Sequence, residues 1–430
     1  MKHTVTIEKI IPGGKGLART ADGQVVMIPF TLPAEGVLIR EDTKKSGYIE
    51  GSIDKVLSPS PARIEPLCPL YGECGGCDVQ HGNYQEQLNI KRGIIEESLH
   101  RAKVPIEHVD NTLASPAQWG YRYRLRLKIS PSGKLGFFKK KSNEFLPVSH
   151  CPVAAAGINS ALAELTEAEA LLPLTGLYPE LELLASPADG KITLVLRSDK
   201  QKPPTSVLQE LAKNSYIHQV GWISRKGFQY LSPQADPLTQ HVQLDEKSCT
   251  LSWSGGCFSQ VNPGQNEQLI RLVCDLAGAL SGDLSGKTVL DLYCGMGNFS
   301  IPLGLCGRTV TGIEGNRESI HWAKENAQQA GISARFLVAD VRAALKQLVE
   351  QGEKVDCILL DPPRSGIGKD IILLSRLEPE KIIYVSCDPA TLARDLNFLC
   401  THGYMITRVV PVDMFPQTSH IESVVLLERS

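Results

Sequence analysis

The sequence predicts an α/β protein with three domains, and three observations support this prediction. Residues 1–58 carry short β-rich runs separated by glycine turns, which is typical of an OB-like β-barrel. Residues 59–257 mix strand-like and helix-like segments, as expected of a central α/β domain. Within residues 258–430, apolar strand-like runs alternate with helix-like segments, which indicates a doubly wound, Rossmann-like parallel sheet. A chain of 430 residues is long enough for two or three domains.

The elements follow from local periodicity and turn residues. In the first domain, strands are predicted at 4–11, 24–30, 37–41 and 53–57. Ser58-Pro59-Ser60-Pro61 reads as a linker, and apolar residues at helical spacing predict a helix at 84–100. In the third domain, strands are predicted at 288–293, 309–314, 335–339, 355–360, 381–386 and, as an edge strand, 424–427.

Composition narrows the function classes. The net charge of −2 leaves no global basic field, so any RNA site must be a local patch. The N-terminus lacks the apolar segment of a signal peptide, and no apolar run approaches the ~20 residues of a membrane span. A cytoplasmic location is therefore expected, with no membrane association. The twelve cysteines then need an explanation other than disulfides.

The segment 121–129 alternates strictly between two kinds of residue. In a strand, the tyrosines and aliphatic residues share one face, and the other face carries Arg122, Arg124, Arg126 and Lys128. Four cations on one face need an anion or an acidic neighbour. The sequence predicts a phosphate-binding surface here, and the alternative is an exposed edge strand blunted by charge.

A glycine turn follows the first strand of the third domain, at Asp291-Leu-Tyr-Cys-Gly-Met-Gly-Asn298. Glycines at such a turn let the backbone approach a cofactor closely, although this is not the dinucleotide fingerprint. Glu314 and Asp340 end the next two strands, where they could bind ribose hydroxyls and an adenine amino group. This arrangement fits S-adenosylmethionine better than NAD.

Three further residues suggest chemistry at the same sheet edge. Asp361-Pro-Pro-Arg364 ends the fourth strand and resembles the motif of amino-group methyltransferases, but Arg replaces the aromatic residue. Cys387 follows the fifth strand, where a thiolate could add to an electron-poor carbon. Glu422 leads into the last strand and is the candidate partner base.

Three cysteines cluster after the linker. The spacing Cys68-x5-Cys74-x2-Cys77 predicts a metal site. The best fourth ligand is Cys151, which follows the hairpin predicted to begin with the basic segment 121–129. Four thiolates bind either zinc or an iron–sulfur cluster, and the spacing does not choose between them.

Together these motifs resemble those of the RNA uracil-5-methyltransferase family, especially its members that modify 23S rRNA. The resemblance covers the whole chain and includes Phe258-Ser-Gln260-Val-Asn262, which is similar to the family's Phe-x-Gln-x-Asn segment. It implies that residues 1–58 form a TRAM domain and that Cys68, Cys74, Cys77 and Cys151 hold a [4Fe-4S] cluster. It also implies a set of residues around S-adenosylmethionine: Gln260, Tyr293, Asn298, Glu314, Asp340 and Asp361.

The resemblance further implies that Cys387 attacks carbon 6 of a flipped-out uridine in a single-stranded RNA loop, and that Glu422 accepts the carbon 5 proton. No protein partner is implied. Two departures from the family pattern are Tyr293 and Asp388, and the second would raise the pKa of the thiol unless its carboxylate points away. The expected substrate is 23S rRNA. The alternatives are the same chemistry on a tRNA loop, an amino-methyltransferase, and a metal-cluster RNA-binding protein without catalysis.

Overall fold

The computed structural model describes residues 1–167, 169–176, 178–197, 202–225, 227–280 and 287–430. Within these ranges the chain forms a six-stranded sheet, two seven-stranded sheets and a two-stranded hairpin. The α-helices are α1 (Tyr84–Arg101), α2 (Ala156–Glu167), α3 (Thr205–Leu211), α4 (Pro263–Leu276), α5 (Ser300–Leu305), α6 (Arg317–Gln329), α7 (Val341–Glu350), α8 (Ile371–Arg376) and α9 (Pro389–Cys400). None of the described helices is long and apolar enough to cross a membrane.

The first sheet has the order β1-β5-β6-β4-β3-β2. Its strands are β1 (Lys2–Thr6), β2 (Lys9–Ile11), β3 (Lys15–Arg19), β4 (Val25–Pro29), β5 (Gly36–Lys45) and β6 (Tyr48–Ser58). The run 4–11 is therefore two strands rather than one, and β3 was not predicted because its sequence lacks β-branched residues. A Cβ at Gly16 would lie 2.1 Å from Thr31 Oγ1, so only glycine fits this position of β3.

The second sheet has the order β13-β12-β11-β10-β7-β8-β9. Its strands are β7 (Arg124–Ile129), β8 (Leu135–Phe138), β9 (Phe145–Pro147), β10 (Glu180–Ala185), β11 (Ile192–Arg197), β12 (Ile217–Ser224) and β13 (Gly227–Tyr230). The basic segment forms β7, which is paired on both sides, by β10 and β8, and is not an edge strand. Leu125 and Leu127 face a core that α2 and α3 cover.

The third sheet has the order β18-β17-β16-β19-β20-β22-β21, with β16 to β20 parallel. Its strands are β16 (Thr288–Leu292), β17 (Thr309–Glu314), β18 (Ala334–Val338), β19 (Cys357–Leu360), β20 (Lys381–Ser386), β21 (Tyr404–Val412) and β22 (Glu422–Arg429). The prediction that the final run is an edge strand is wrong. β22 lies between β20 and β21, antiparallel to both, and its first six residues are buried, as befits an interior strand.

Two connecting elements tie the sheets together. The hairpin of β14 (Leu238–Leu244) and β15 (Lys247–Trp253) shares a hydrophobic core with α4 and the third sheet. Helix α1 confirms the predicted helix to within one residue, and Asn83 caps its first turn. Its buried residues Ile94 and Ile95 join a core that includes both the first sheet and the third.

Candidate active site

The sheet topology brings Cys387 and Glu422 together. Cys387 follows the last residue of β20, and Glu422 is the first residue of β22. These strands are antiparallel, and Ser386 pairs with Ser423. Continuing this register by one residue places Cys387 directly opposite Glu422, at the carboxyl edge of the parallel strands. Asp361 lies at the same edge, after the neighbouring strand β19.

The electrostatics of this edge link four side chains. Burial raises the pKa of Cys387 to about 11, the carboxyl of Glu422 adds to the rise, and Arg364 opposes it. Burial followed by the charge of Asp361 raises the pKa of Glu422 well above its ordinary value. Burial also raises the pKa of Asp361 to about 7. The result is a water-poor crevice that combines a nucleophile, two acids that can hold protons, and a guanidinium.

Asp388, which follows the cysteine, does not face the thiol. Its carboxylate accepts hydrogen bonds from the N–H groups of Ala390 and Thr391 at 3.1 and 2.8 Å, and so caps α9. A carboxylate at this position was expected to raise the pKa of Cys387 unless it pointed away. The Asp388 carboxylate is instead engaged as a helix cap. The groups that do raise the pKa come from other strands.

The glycine turn after β16 has the backbone of a ligand-binding loop. Tyr293 adopts a φ of 65°, and Gly297 adopts a φ of 90°. Such conformations are costly for residues other than glycine and concentrate at functional sites. Asn298 exchanges two hydrogen bonds with Asn266 of α4, at 2.8 and 3.0 Å. This exchange joins the turn to the segment that begins at Gln260.

The predicted acids stand where their strands end. Glu314, at the end of β17, accepts a hydrogen bond from the N–H of Asn316 at 2.7 Å. Asp340 follows β18, is exposed, and caps α7 by accepting from the N–H of Ala343 at 3.1 Å. Both carboxylates contribute to the raised pKa of Tyr293, after burial, so the three side chains share one region.

Gln260 lies shortly before α4, and the carbonyl of its neighbour Val261 accepts a hydrogen bond from the N–H of Tyr123 at 2.8 Å. Asn262, two residues on, caps α4. Gln260 therefore comes from the segment before α4. Of the other predicted cofactor residues, Tyr293 and Asn298 belong to the glycine turn, and Glu314, Asp340 and Asp361 follow or end strands.

Asp291 was not assigned a role from the sequence. It is fully buried, and Ser300 donates a hydrogen bond to its Oδ2 at 2.5 Å. Its Oδ1 has no hydrogen-bond partner among the described residues. Burial raises the pKa of Asp291 to about 7, and the charges of Asp361 and Glu314 oppose its ionisation further. Its position at the start of the turn was the signal that could have identified it.

The four predicted metal-ligating cysteines line one cavity of about 360 Å³, together with Arg122 and His150. Burial raises the pKa of Cys77 to about 12, and the charges of the other three cysteines raise it further. Across the residues that the structure describes, no three Cys, His, Asp or Glu side chains stand close enough to ligate a single metal ion. The cysteines thus face a common space without converging on one point.

The basic strand is neutralised from within the protein. On β10, Glu182 lies opposite Arg126, and Glu180 lies opposite Lys128. Arg124 also binds Glu182, and its side chain is only 13% exposed. The prediction that Arg124 binds phosphate is therefore wrong. An acidic side chain of the neighbouring strand β10 already supplies its counter-charge.

The comparisons with known proteins agree on a family. The family model for tRNA (uracil-5-)-methyltransferase matches residues 83–430. The chain is 34% identical over its whole length to the 23S rRNA (uracil(1939)-C(5))-methyltransferase RlmD of Vibrio campbellii, covering 96% of that protein. The chain belongs to the RNA (uracil-5-)-methyltransferase family.

Two other relatives extend this result. An uncharacterised RNA methyltransferase of Aquifex aeolicus is 34% identical, with 99% of this chain and 98% of that protein covered. The crystal structure of Pyrococcus abyssi tRNA (uracil-54, C5)-methyltransferase with S-adenosyl-L-homocysteine has a TM-score of 0.74 at 24% identity, covering 98% of this chain and 99% of that one. The predicted family and the predicted fold are confirmed. As a member of this family, the protein is an S-adenosylmethionine-dependent enzyme that methylates carbon 5 of uracil in RNA.

Proposed function

We propose that this enzyme methylates carbon 5 of a uridine in 23S rRNA through a covalent adduct between Cys387 and uracil. The observation that carries the mechanism is the register of β20 and β22, which places a thiol opposite a buried carboxyl at the cofactor edge of the sheet. Carbon 5 of uracil is a poor nucleophile, and a thiol at this position provides a way to activate it.

The first step is addition. The Cys387 thiolate forms a bond to carbon 6, and the electrons of the 5,6 double bond move to give an enolate that is nucleophilic at carbon 5. Arg364 favours the thiolate, since its positive charge lowers the pKa of Cys387 against the effect of burial. S-Adenosylmethionine, when bound, would supply the methyl group: carbon 5 would bond to the methyl carbon as the bond from that carbon to the sulfonium sulfur breaks, which leaves S-adenosylhomocysteine.

The second step is elimination. Glu422 removes the carbon 5 proton, the electrons of that bond restore the double bond, and the bond between carbon 6 and the Cys387 sulfur breaks. Glu422 suits this task because its burial raises its proton affinity. Asp361, which is close enough to influence the pKa of Glu422, is the first group available to share that proton before it reaches solvent.

The residues present fit S-adenosylmethionine. The positive φ of Gly297 allows a close backbone approach, and the unpartnered Oδ1 of buried Asp291 offers an acceptor at the start of the turn. We assign the binding of this cofactor to the strand-end and turn residues predicted from the sequence: Gln260, Tyr293, Asn298, Glu314, Asp340 and Asp361.

We assign the four cysteines to a [4Fe-4S] cluster, as the resemblance to the family implies. A structural zinc ion requires four ligand atoms within about 2.3 Å of one point. A cubane cluster instead carries one iron at each of four corners, so its ligands surround a larger volume. Cys68, Cys74, Cys77 and Cys151 line one cavity, so the four thiols that the assignment requires share one space.

The RNA substrate is proposed on three grounds. The relatives named as 23S rRNA enzymes are similar to this chain over nearly their whole length. The first sheet, which we assign with residues 1–58 to a TRAM domain, provides a surface beyond the catalytic unit. Phe258, next to the cofactor segment, is 68% exposed and can stack on a splayed base. The half-buried thiol of Cys387 can reach carbon 6 only if the uridine is flipped out of its stack.

The test combines substrate choice with adduct trapping. The enzyme, S-adenosylmethionine and unmodified 23S rRNA or unmodified tRNA are incubated in parallel, and the product nucleoside is identified by mass spectrometry. We expect 5-methyluridine in rRNA alone, no adduct from Cys387→Ala, and a trapped methylated protein–RNA adduct from Glu422→Gln. Product in tRNA alone would overturn the rRNA assignment, and normal turnover by Glu422→Gln would overturn the base assignment.

A further inference from the structure

The loop that carries Cys77 also forms hydrogen bonds to the segment that leads to Glu422, the proposed base. This segment, residues 415–420, connects β21 to β22 and ends two residues before Glu422. Its residues 416–419 are buried. The N–H of Thr418 bonds to the carbonyl of Phe415 within the segment, but the backbone groups of Pro416, Gln417 and Ser419 bond to residues 78–121, about 300 or more positions away in sequence.

Asp78, immediately after Cys77, makes the strongest of these contacts. Its carboxylate accepts a hydrogen bond from the N–H of Ser419 at 2.6 Å on one oxygen and from the Ser419 hydroxyl at 2.8 Å on the other. The backbone N–H groups of Asp78 and Val79 both donate to the carbonyl of Gln417, at 3.2 Å each. Hydrogen bonds to a charged acceptor are roughly twice as strong as those between neutral groups.

Other residues fix the same segment at neighbouring atoms. The N–H of Gln417 donates to the side chain of Gln87 at 2.9 Å, and the hydroxyl of Tyr121 donates to the carbonyl of Pro416 at 2.9 Å. The ammonium of Lys91 donates to the carbonyl of Phe415 at 3.0 Å. Three successive carbonyls and two N–H groups of the segment are therefore bound from outside it.

The segment would not hold this shape by itself. Gln417 adopts a φ of 72°, a left-handed conformation that residues other than glycine avoid. Such backbone persists only where the surroundings impose it, and it concentrates at functional sites. Since Ser419 lies three residues before Glu422, a displacement of this turn would move the start of β22, which pairs opposite Cys387.

From this geometry we infer that Asp78 is a positioning residue for the methyl-transfer reaction, acting through Ser419 on Glu422. The inference rests on the proposed role of Glu422 as the base that resolves the adduct. It assigns a second task to the cysteine loop, because the residue after Cys77 sets the position of a catalytic carboxyl. A positioning effect has a specific kinetic signature: proton removal slows, whereas addition of Cys387 and binding of both substrates do not.

The experiment compares three variants of the full-length protein with their iron intact: Asp78→Asn, Glu422→Gln, and the control Asp236→Asn. Asp236 binds Lys191 at the surface, and its side chain is 69% exposed. Turnover, the KM for RNA and for S-adenosylmethionine, and the amount of methylated covalent adduct on a denaturing gel are measured. For Asp78→Asn we expect turnover to fall roughly 10- to 100-fold. Both KM values should be unchanged, and the adduct should accumulate as in Glu422→Gln. Asp236→Asn should behave as the unmodified enzyme.

Ser419→Ala tests the same contact from its other side, since it removes only the hydroxyl contact and leaves the N–H contact to Asp78. It should accumulate the adduct to a smaller extent, and it decides the question if Asp78→Asn does not fold. Normal turnover, or a loss of turnover without adduct in the folded variants, would overturn the positioning role while Glu422→Gln still traps the adduct. If Glu422→Gln traps no covalent adduct, both the assignment of Glu422 as the base and the positioning role of Asp78 are wrong.

Discussion

Arg124 and Glu182 form an ion pair across neighbouring strands, with 3.1 Å between Nη2 and Oε2. Arg126 and Arg197 bind the same carboxylate, whose side chain is 1% exposed. Burial alone would raise the pKa of Glu182, but the nearby guanidinium groups, foremost Arg124, lower it to about 2. This carboxylate turns a strand with a repulsive face into an interior part of the second sheet.

We expect Glu182→Gln to lower the free energy of unfolding by about 3 to 5 kcal/mol at pH 7, because it removes the buried carboxylate that three guanidinium groups share, among them that of Arg124, which is only 13% exposed. A lowered pKa stabilises the fold above the unfolded-state pKa of about 4.3, and this contribution is lost as the pH falls through about 2. Urea unfolding at several pH values measures the difference between the two proteins, which should shrink below pH ~4.

The matched control is Glu180→Gln. Glu180 binds Lys128 on the same strand pair, but both side chains are partly exposed. We expect a loss of about 0 to 1 kcal/mol there. A Glu182→Gln effect that is equally small, or that does not change with pH, would contradict the central role of Glu182 in neutralising β7.

The rate at which 5-methyluridine product is released should rise with pH between about 6 and 9. Cys387 must lose its proton to attack, and its pKa is raised to about 11. Glu422 must be ionised to act as a base, and its pKa is raised as well. Both shifts remove active species as the pH falls, by up to tenfold per unit and per group. Single-turnover rates with saturating RNA measure this profile.

Arg364→Gln provides the comparison for that profile. Because the charge of Arg364 lowers the pKa of Cys387, its removal should shift the profile to higher pH and slow adduct formation at pH 7. Rates at high pH should be normal, because the guanidinium acts on the pKa values of Cys387 and Glu422, and both groups are ionised there. A flat profile in the unmodified enzyme would show that neither group limits the rate.

Phe258→Ala should weaken RNA binding by roughly 5- to 150-fold, since a stacked base is worth about 1 to 3 kcal/mol. The dependence of binding on salt concentration should stay the same, because no phosphate contact is lost. Binding is measured by filter retention at several salt concentrations. Tyr216→Ala, which removes another exposed aromatic side chain elsewhere on the surface, should bind RNA normally. Equal affinities for both variants would place base stacking at other residues.

Cys77→Ser should abolish iron binding in protein purified without oxygen, because the cluster would lose one of its four thiolates. Iron content by metal analysis and absorbance in the visible range measure the loss. Cys249→Ser is the control, since Cys249 is buried in the core of the third sheet and should leave the iron in place. Zinc in place of iron in the unmodified protein would contradict the cluster assignment.

Much of the fold is readable from local patterns. The strands 309–314 and 381–386 were predicted to the residue, because alternating strands and helices with few polar interruptions leave little ambiguity about where each buried strand runs. The parallel order also follows from this alternation, which places Glu314, Asp361 and Cys387 at one edge. Sequence patterns do not reveal β3, because it lacks β-branched residues, or the division of the run 4–11, because that run is β-rich on both sides of the break.

By itself, the sequence determined which reactive groups exist and which strand ends carry most of them: a thiol, several acids, a glycine turn and four clustered cysteines. Only the tertiary structure decided that β22 lies inside the sheet, with Glu422 opposite Cys387, and that Asp291 is a buried acid with one oxygen to which no described residue hydrogen-bonds. It likewise decided that Glu182 pairs with Arg124 and Arg126 of β7 and that Asp78 hydrogen-bonds to the turn before Glu422. The physical reason is that periodicity reports the burial of each residue, whereas strand order, counter-charges and pKa shifts depend on neighbours that lie tens to hundreds of positions away in the chain.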